Sequence, residues 1–168
     1  MSSNHDLFKS VVANVNDIET GDINHYPGDD ELMSLSASFA HHFNLTRLGV
    51  HHERLPPSRR VSWPHAEADE EEFVYVIEGT PDLWLDGHLH PLKPGDGIGF
   101  ASGTGIAHTI INNKTDVRLI VVGEPSRFKA RIHYPLHPKR NAEIGDRHWK
   151  DVPSRELGPH DGRPEKVR

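Results

Sequence analysis

From residue 45 to residue 122 the chain is cut into short apolar runs, each closed by glycine or proline, which leaves no room for a long helix. Phe73-Val74-Tyr75-Val76-Ile77 is β-branched and aromatic and stops at Glu78-Gly79, a composition that suits a pleated, half-buried strand. Leu83-Trp84-Leu85 and His88-Leu89-His90 flank Asp86-Gly87, the dipeptide that tolerates the positive φ angles of a two-residue hairpin turn. In Lys93-Pro94-Gly95-Asp96 the proline sets the first central angle of a second tight turn and the glycine accepts the next. Residues 98–100, 107–112 and 117–122 read as further strands, and residues 45–55 as an extended segment stopped by Pro56-Pro57, since proline donates no ladder hydrogen bond. With 14 glycines and 13 prolines in 168 residues, one all-β domain is expected, an antiparallel sandwich or barrel.

The flanks are less regular. Residues 7–18 fit either a short helix or a strand, Tyr26-Pro27-Gly28-Asp29-Asp30 is a turn, and Leu35, Ala37 and Phe39 recur at the period of a strand. Residues 128–134 read as a last strand, and residues 151–168 as a tail that wraps the surface or is disordered. The expected division is an N-terminal extension over 1–44, a barrel over 45–134 and an irregular C-terminal tail over 135–168.

Composition removes several function classes. The formal net charge is −6 and no lysine or arginine cluster is long enough to track a phosphate backbone, so nucleic acid is not an expected partner. No apolar run approaches the roughly 20 residues that span a bilayer, and Met1-Ser2-Ser3-Asn4-His5-Asp6 lacks the basic and apolar regions of an export signal. A cytoplasmic protein with no membrane partner is expected. Cysteine is absent, which excludes disulfides, thiolate metal sites and cysteine nucleophiles. Gly95-x-Gly97-x-Gly99 lacks the spacing and the following helix of a phosphate loop, and Ser102 lacks the flanking glycines of a nucleophile elbow.

The densest chemical signal is Pro64-His65-Ala66-Glu67-Ala68-Asp69-Glu70-Glu71-Glu72, where five carboxylates crowd into six residues. Adjacent acids repel, so the cluster must face water or meet a cation. His65 and Glu67 are two apart in an extended segment and leave it on the same face. Glu72 is in phase with Val74 and Val76, so its carboxylate lies on whichever face those two occupy. A further imidazole is available from His108, which follows the loop Ala101-Ser102-Gly103-Thr104-Gly105 and precedes Asn112 by four residues. Asp69, Glu70 and Glu71 read as solvated loop charges, and His88 and His90 flank the hairpin turn and are expected to be exposed.

These residues resemble the two motifs of the cupin superfamily. The first looks like Gly49 followed, after a longer spacer, by His65-x-Glu67-x4-Glu72-x6-Gly79, and the second like Gly95-x5-Ala101-x-Gly103-x4-His108-x3-Asn112. Glu67 stands where the family usually has a second histidine, Ala101 replaces a proline, and the loop before His108 is two residues longer. The resemblance covers about residues 45–123 and implies a cupin-type β-barrel, a double-stranded β-helix or jelly roll. It implies one divalent ion, manganese, iron(II), nickel or zinc, held by His65, Glu67, Glu72 and His108, with Glu71 the substitute for Glu72 if the register is one residue off. Tyr75, Trp84, Phe100 and His51 are the expected pocket walls. The implied ligand is a small polar organic molecule and the implied activity that of an oxidoreductase, such as a dioxygenase, or an isomerase. The other reading is a non-catalytic cupin that binds a sugar or organic acid, its four polar groups held together by hydrogen bonds. The family commonly dimerises through N-terminal strands, which implies a homodimer through residues 1–44.

Overall fold

The computed structural model describes residues 4–21, 23–124 and 130–165. Its strands are β1 (Leu35–Ser38), β2 (Gly49–Leu55), β3 (Arg59–Arg60), β4 (Ala66–Glu67), β5 (Glu72–Glu78), β6 (Asp82–Leu85), β7 (His88–Pro91), β8 (Gly97–Phe100), β9 (His108–Asn112), β10 (Val117–Gly123) and β11 (Ile132–His133). One sheet has the order β1-β2-β10-β5-β8, a second β3-β9-β6-β7, and β11 pairs with β4 alone. Every pairing between these strands is antiparallel. The β6–β7 turn has Asp86 at φ 45° and Gly87 at φ 88°, the left-handed pair that matches the twist of a tight hairpin.

Alternation along the strands sorts the side chains into an interior and two outer faces. Leu55, Val74, Val76, Val117 and Leu119 from the first sheet meet Leu83 and Ile110 from the second. Burial of each such side chain contributes about 1.5–3 kcal/mol relative to exposure. The residues in phase with this core also point inward: Glu72 with Val74, and His51 and Glu53 with Leu55. The outer face of the second sheet is not left to solvent, because Trp84 and Ile111 pack with Ala66, Ala107 and Trp149 and against Leu136, Val152 and Leu157.

The flanks are tied to the barrel by polar contacts. Arg60, 1% exposed, donates from Nε and Nη2 to Glu31 at 2.8 and 2.6 Å and from Nη1 to the Gly162 carbonyl at 2.8 Å, so one guanidinium binds both ends of the chain. Trp84 Nε1 donates to the His160 carbonyl at 2.9 Å, and Asp86 pairs with Arg155. Gly87 lies so close to Gly158 that a β-carbon there would overlap its backbone, which seats the tail against the hairpin.

The segment over 7–18 takes the helical alternative, in two pieces, α1 (Asn4–Val11) and α2 (Val15–Ile18). The strand expected through Phe39 stops a residue earlier, because the Ser38 hydroxyl accepts from the His41 amide at 3.2 Å and caps α3 (Phe39–His42). The extended run begins at Gly49 rather than Leu45. Of the strand expected over 128–134 only β11 forms, and residues 128 and 129 lie outside the described residues. A further helix, α4 (Pro138–Glu143), starts on proline, which suits a first helical turn. Among the described residues no helix is long and apolar enough to cross a membrane.

Candidate metal centre

His65 and His108 are set opposite each other by backbone pairing. His65 N donates to His108 O at 3.2 Å and His108 N to His65 O at 2.9 Å, so both side chains leave on one face of the ladder. Their ring centroids are 4.9 Å apart. Each Nδ1 faces a main-chain carbonyl, that of Trp63 at 2.9 Å for His65 and that of Ile106 at 3.3 Å for His108. A carbonyl accepts, so Nδ1 carries the hydrogen on both rings and each Nε2 keeps a free lone pair.

Glu72 arrives from the facing sheet, its Oε1 3.6 Å from His108 Nε2. One ligand atom from each of His65, Glu72 and His108 lies within 4.8 Å of the others. Donors about 2.0–2.2 Å from one ion are themselves separated by about 3–4.5 Å, so the spacing fits. His108 Nε2 is sealed from solvent and has no hydrogen-bond partner, a cost that an ion would remove. Phe100, opposite Glu72 in the β5–β8 register, stacks on the His108 ring with centroids 3.5 Å apart.

The electrostatics suit a cation. Burial, then the neighbouring His108, pushes the His65 imidazole down to about 4, so this side chain is neutral at ordinary pH. Burial works to raise the Glu72 carboxyl, but the His108, His65 and His51 imidazoles facing it outweigh that and hold it below its usual value. Glu67 is pushed up to about 8 by burial and by the charges of Glu72 and Glu70.

Not every expected residue joins the group. Glu67 lies outside the three-residue cluster: β4 pairs with β11 instead of running on as a long strand, so the simple alternation from His65 does not bring the two to one point. Glu71 is exposed and lines the rim, where a cavity of about 480 Å³ also touches Glu72, Phe73, Phe100, Val122 and Glu124. Phe100 therefore borders both that cavity and His108. Trp84, expected as a pocket wall, points out of the barrel into the cluster under the tail, and Tyr75, 42% exposed, is out of phase with Val74 and Val76 and lies on the outer face. His51 faces inward and lines a second cavity of about 410 Å³ with Tyr26, Met33, Ser36, Glu53 and Val61. Glu53 is not among the residues expected from sequence; its phase with His51 and Leu55 is the signal that points to it. His88 and His90 are exposed.

Known structures share this architecture. A protein described as a sugar phosphate isomerase from a cupin superfamily, from Silicibacter pomeroyi, is 30% identical with a TM-score of 0.56; the match covers 60% of this chain and 64% of that one, a little under two thirds of its length. A polyketide cyclase from Streptomyces resistomycificus is 20% identical with a TM-score of 0.60, covering 81% and 94% of the two chains. A predicted oxalate decarboxylase from Thermotoga maritima is 23% identical with a TM-score of 0.55, covering 68% and 99%. The last two show the fold alone. No curated protein matches the chain. Residues 51–123 match the family model described as Cupin domain, and that match assigns this segment of the chain to the cupin superfamily.

Proposed function

We propose that this cupin is a metal-dependent enzyme acting on a small polar organic molecule, and that its reaction is of the isomerase type. The observation that carries this is the buried, unpartnered Nε2 of His108 facing Glu72 and His65. His65, Glu72 and His108 would hold one divalent ion, manganese, iron(II), nickel or zinc, since imidazole and carboxylate donors suit these metals. Bound there, the ion supplies Lewis acidity to a substrate carbonyl or hydroxyl oxygen. The chain's own groups do the rest. The Trp63 and Ile106 carbonyls fix the two imidazoles, and Phe100 holds the His108 plane. Glu67, whose carboxyl is raised to about 8, keeps a proton next to the cluster and would give it up when a cation arrives. The isomerase choice over an oxygenase leans on the 30% identical neighbour.

The test is to load the purified chain with each of the four metals in turn and follow aldose–ketose interconversion by NMR. Turnover that disappears in His108→Ala supports the proposal. Stoichiometric metal with no turnover of any sugar or sugar phosphate would leave a binding module instead.

A homodimer belongs to the same proposal. Helix α1 presents Leu7, Phe8 and Val11 to solvent at 57%, 58% and 63% exposure, a row of apolar side chains within residues 1–44 that a second copy would cover. Light scattering should give twice the chain mass, and deletion of residues 1–12 should return the monomer.

A further inference from the structure

Glu53 takes no part in the cluster at His65, Glu72 and His108, yet it is 7% exposed. Its Oε1 accepts from Ser36 Oγ at 2.8 Å, while Oε2 is sealed from solvent with no hydrogen-bond partner. A carboxyl buried with one oxygen unmet destabilises the fold unless a ligand completes it. The space beside it is the cavity of about 410 Å³. Its lining mixes polar side chains, Ser36, His51 and Glu53 among them, with the apolar Ile23, Met33 and Val61. Such a mixed lining matches a polyhydroxylated carbon chain or ring, which has hydroxyls on its edge and C–H groups on its face.

His51 and Glu53, which line the cavity, share the inner face of the first sheet with Glu72. In the central strand β10, Gly123 pairs with both Gly49 and Glu72, and Val121 with both His51 and Val74. His51 is thus one inward-facing position deeper than Glu72, and Glu53 one deeper again. The charge of Glu72 acts on both His51 and Glu53, in keeping with a shared interior. Ser36 Oγ, 3.4 Å from His51 Nδ1, links the two polar groups. On the other side of β2, β10 places only Leu119 opposite Glu53.

We infer that this cavity is the subsite for the hydroxylated end of the substrate, with Glu53 Oε2 and His51 binding adjacent hydroxyls while the carbonyl end lies at His65, Glu72 and His108. This rests on the enzyme reading above and narrows its substrate class to polyhydroxy aldehydes and ketones. Small dicarboxylates are disfavoured, because a second carboxylate would meet Glu72 or Glu53 on that same inner face. Burial pushes the Glu53 carboxyl up to about 7, against the neighbouring hydroxyls of Ser34 and Ser36. At neutral pH it offers a hydroxyl either a donor or an acceptor.

The experiment is calorimetric titration of the manganese-loaded full chain with D-glucose, D-fructose, their 6-phosphates and oxalate. At least one sugar or sugar phosphate should bind more tightly than oxalate. Glu53→Leu should weaken that probe at least tenfold with bound manganese unchanged, and Glu53→Gln, which keeps the shape if the leucine variant does not fold, should weaken it several-fold. Oxalate binding in preference, no sugar binding, or unchanged affinity in a folded Glu53 variant would overturn the subsite. Sugar turnover that is indifferent to Glu53 would sink the subsite and leave the enzyme standing. Glu53-dependent sugar binding without manganese uptake or turnover would do the reverse.

Discussion

Phe100 lies flat on the imidazole of His108, with ring centroids 3.5 Å apart and planes within 4° of parallel. Together with the Ile106 carbonyl at Nδ1, that contact leaves the ring one orientation, with Nε2 toward Glu72. A group that fixes a ligand in this way commonly changes metal affinity by about 10–100-fold when removed.

Phe100→Ala keeps every donor atom and frees the ring. Metal affinity, measured by competition with a chelator, should drop by about tenfold, and Phe100→Leu should recover part of the loss. An unchanged affinity in the alanine variant would mean that the stacking does not position His108.

His108→Ala and Glu71→Ala separate the cluster from its rim. The first removes a buried donor 3.6 Å from Glu72 and should abolish stoichiometric metal; the second removes an exposed carboxylate and should leave it intact. Metal analysis of the two dialysed variants decides, and equal retention in both would show that the register is misassigned. In the wild type, affinity should hold through neutral pH and fall as pH drops toward about 4, where the His65 imidazole takes up a proton.

Glu53 makes a stability prediction with a definite sign. Its folded carboxyl is raised from 4.5 to about 7, so the folded state holds a proton there that the unfolded chain has lost. The contribution is complete below about 4.5 and lost as pH rises through about 7. Relative to Glu53→Gln, the wild type should therefore lose on the order of 3 kcal/mol between about pH 4.5 and 8, read from urea unfolding of metal-free protein at both ends. Parallel stability curves for the two proteins would contradict a proton held at this site.

Arg60 joins Glu31 and the Gly162 carbonyl from inside the fold. Breaking a buried ion pair from one side costs about 3–5 kcal/mol. Arg60→Ala should show that loss in urea unfolding and should let a protease cut near residue 162 in the native protein. A resistant tail would indicate that the cluster around Trp84 and Trp149 suffices to hold it.

Local pattern makes much of this legible. Asp86-Gly87 sets the hairpin through backbone sterics alone, and the phase of Glu72 with Val74 and Val76 places its carboxylate inside because side-chain direction alternates strictly along a strand. Glu67 escapes that logic because a two-residue strand paired with β11 does not continue the geometry of His65. Trp84 departs from expectation for a different reason. Its strand position allows either face, and only the docking of Trp149, from the far end of the sequence, turns the outer face into a second core. Glu53 has the necessary phase, but an unmet Oε2 is a property of packing that period-two alternation does not express.

Elemental analysis of the purified full chain, joined to anomalous scattering from its crystals, bears most directly on the metal centre. One divalent ion per chain, seated between Nε2 of His65, Nε2 of His108 and the Glu72 carboxylate, is the result expected. Metal-free protein whose melting temperature does not respond to manganese, iron(II), nickel or zinc would contradict it.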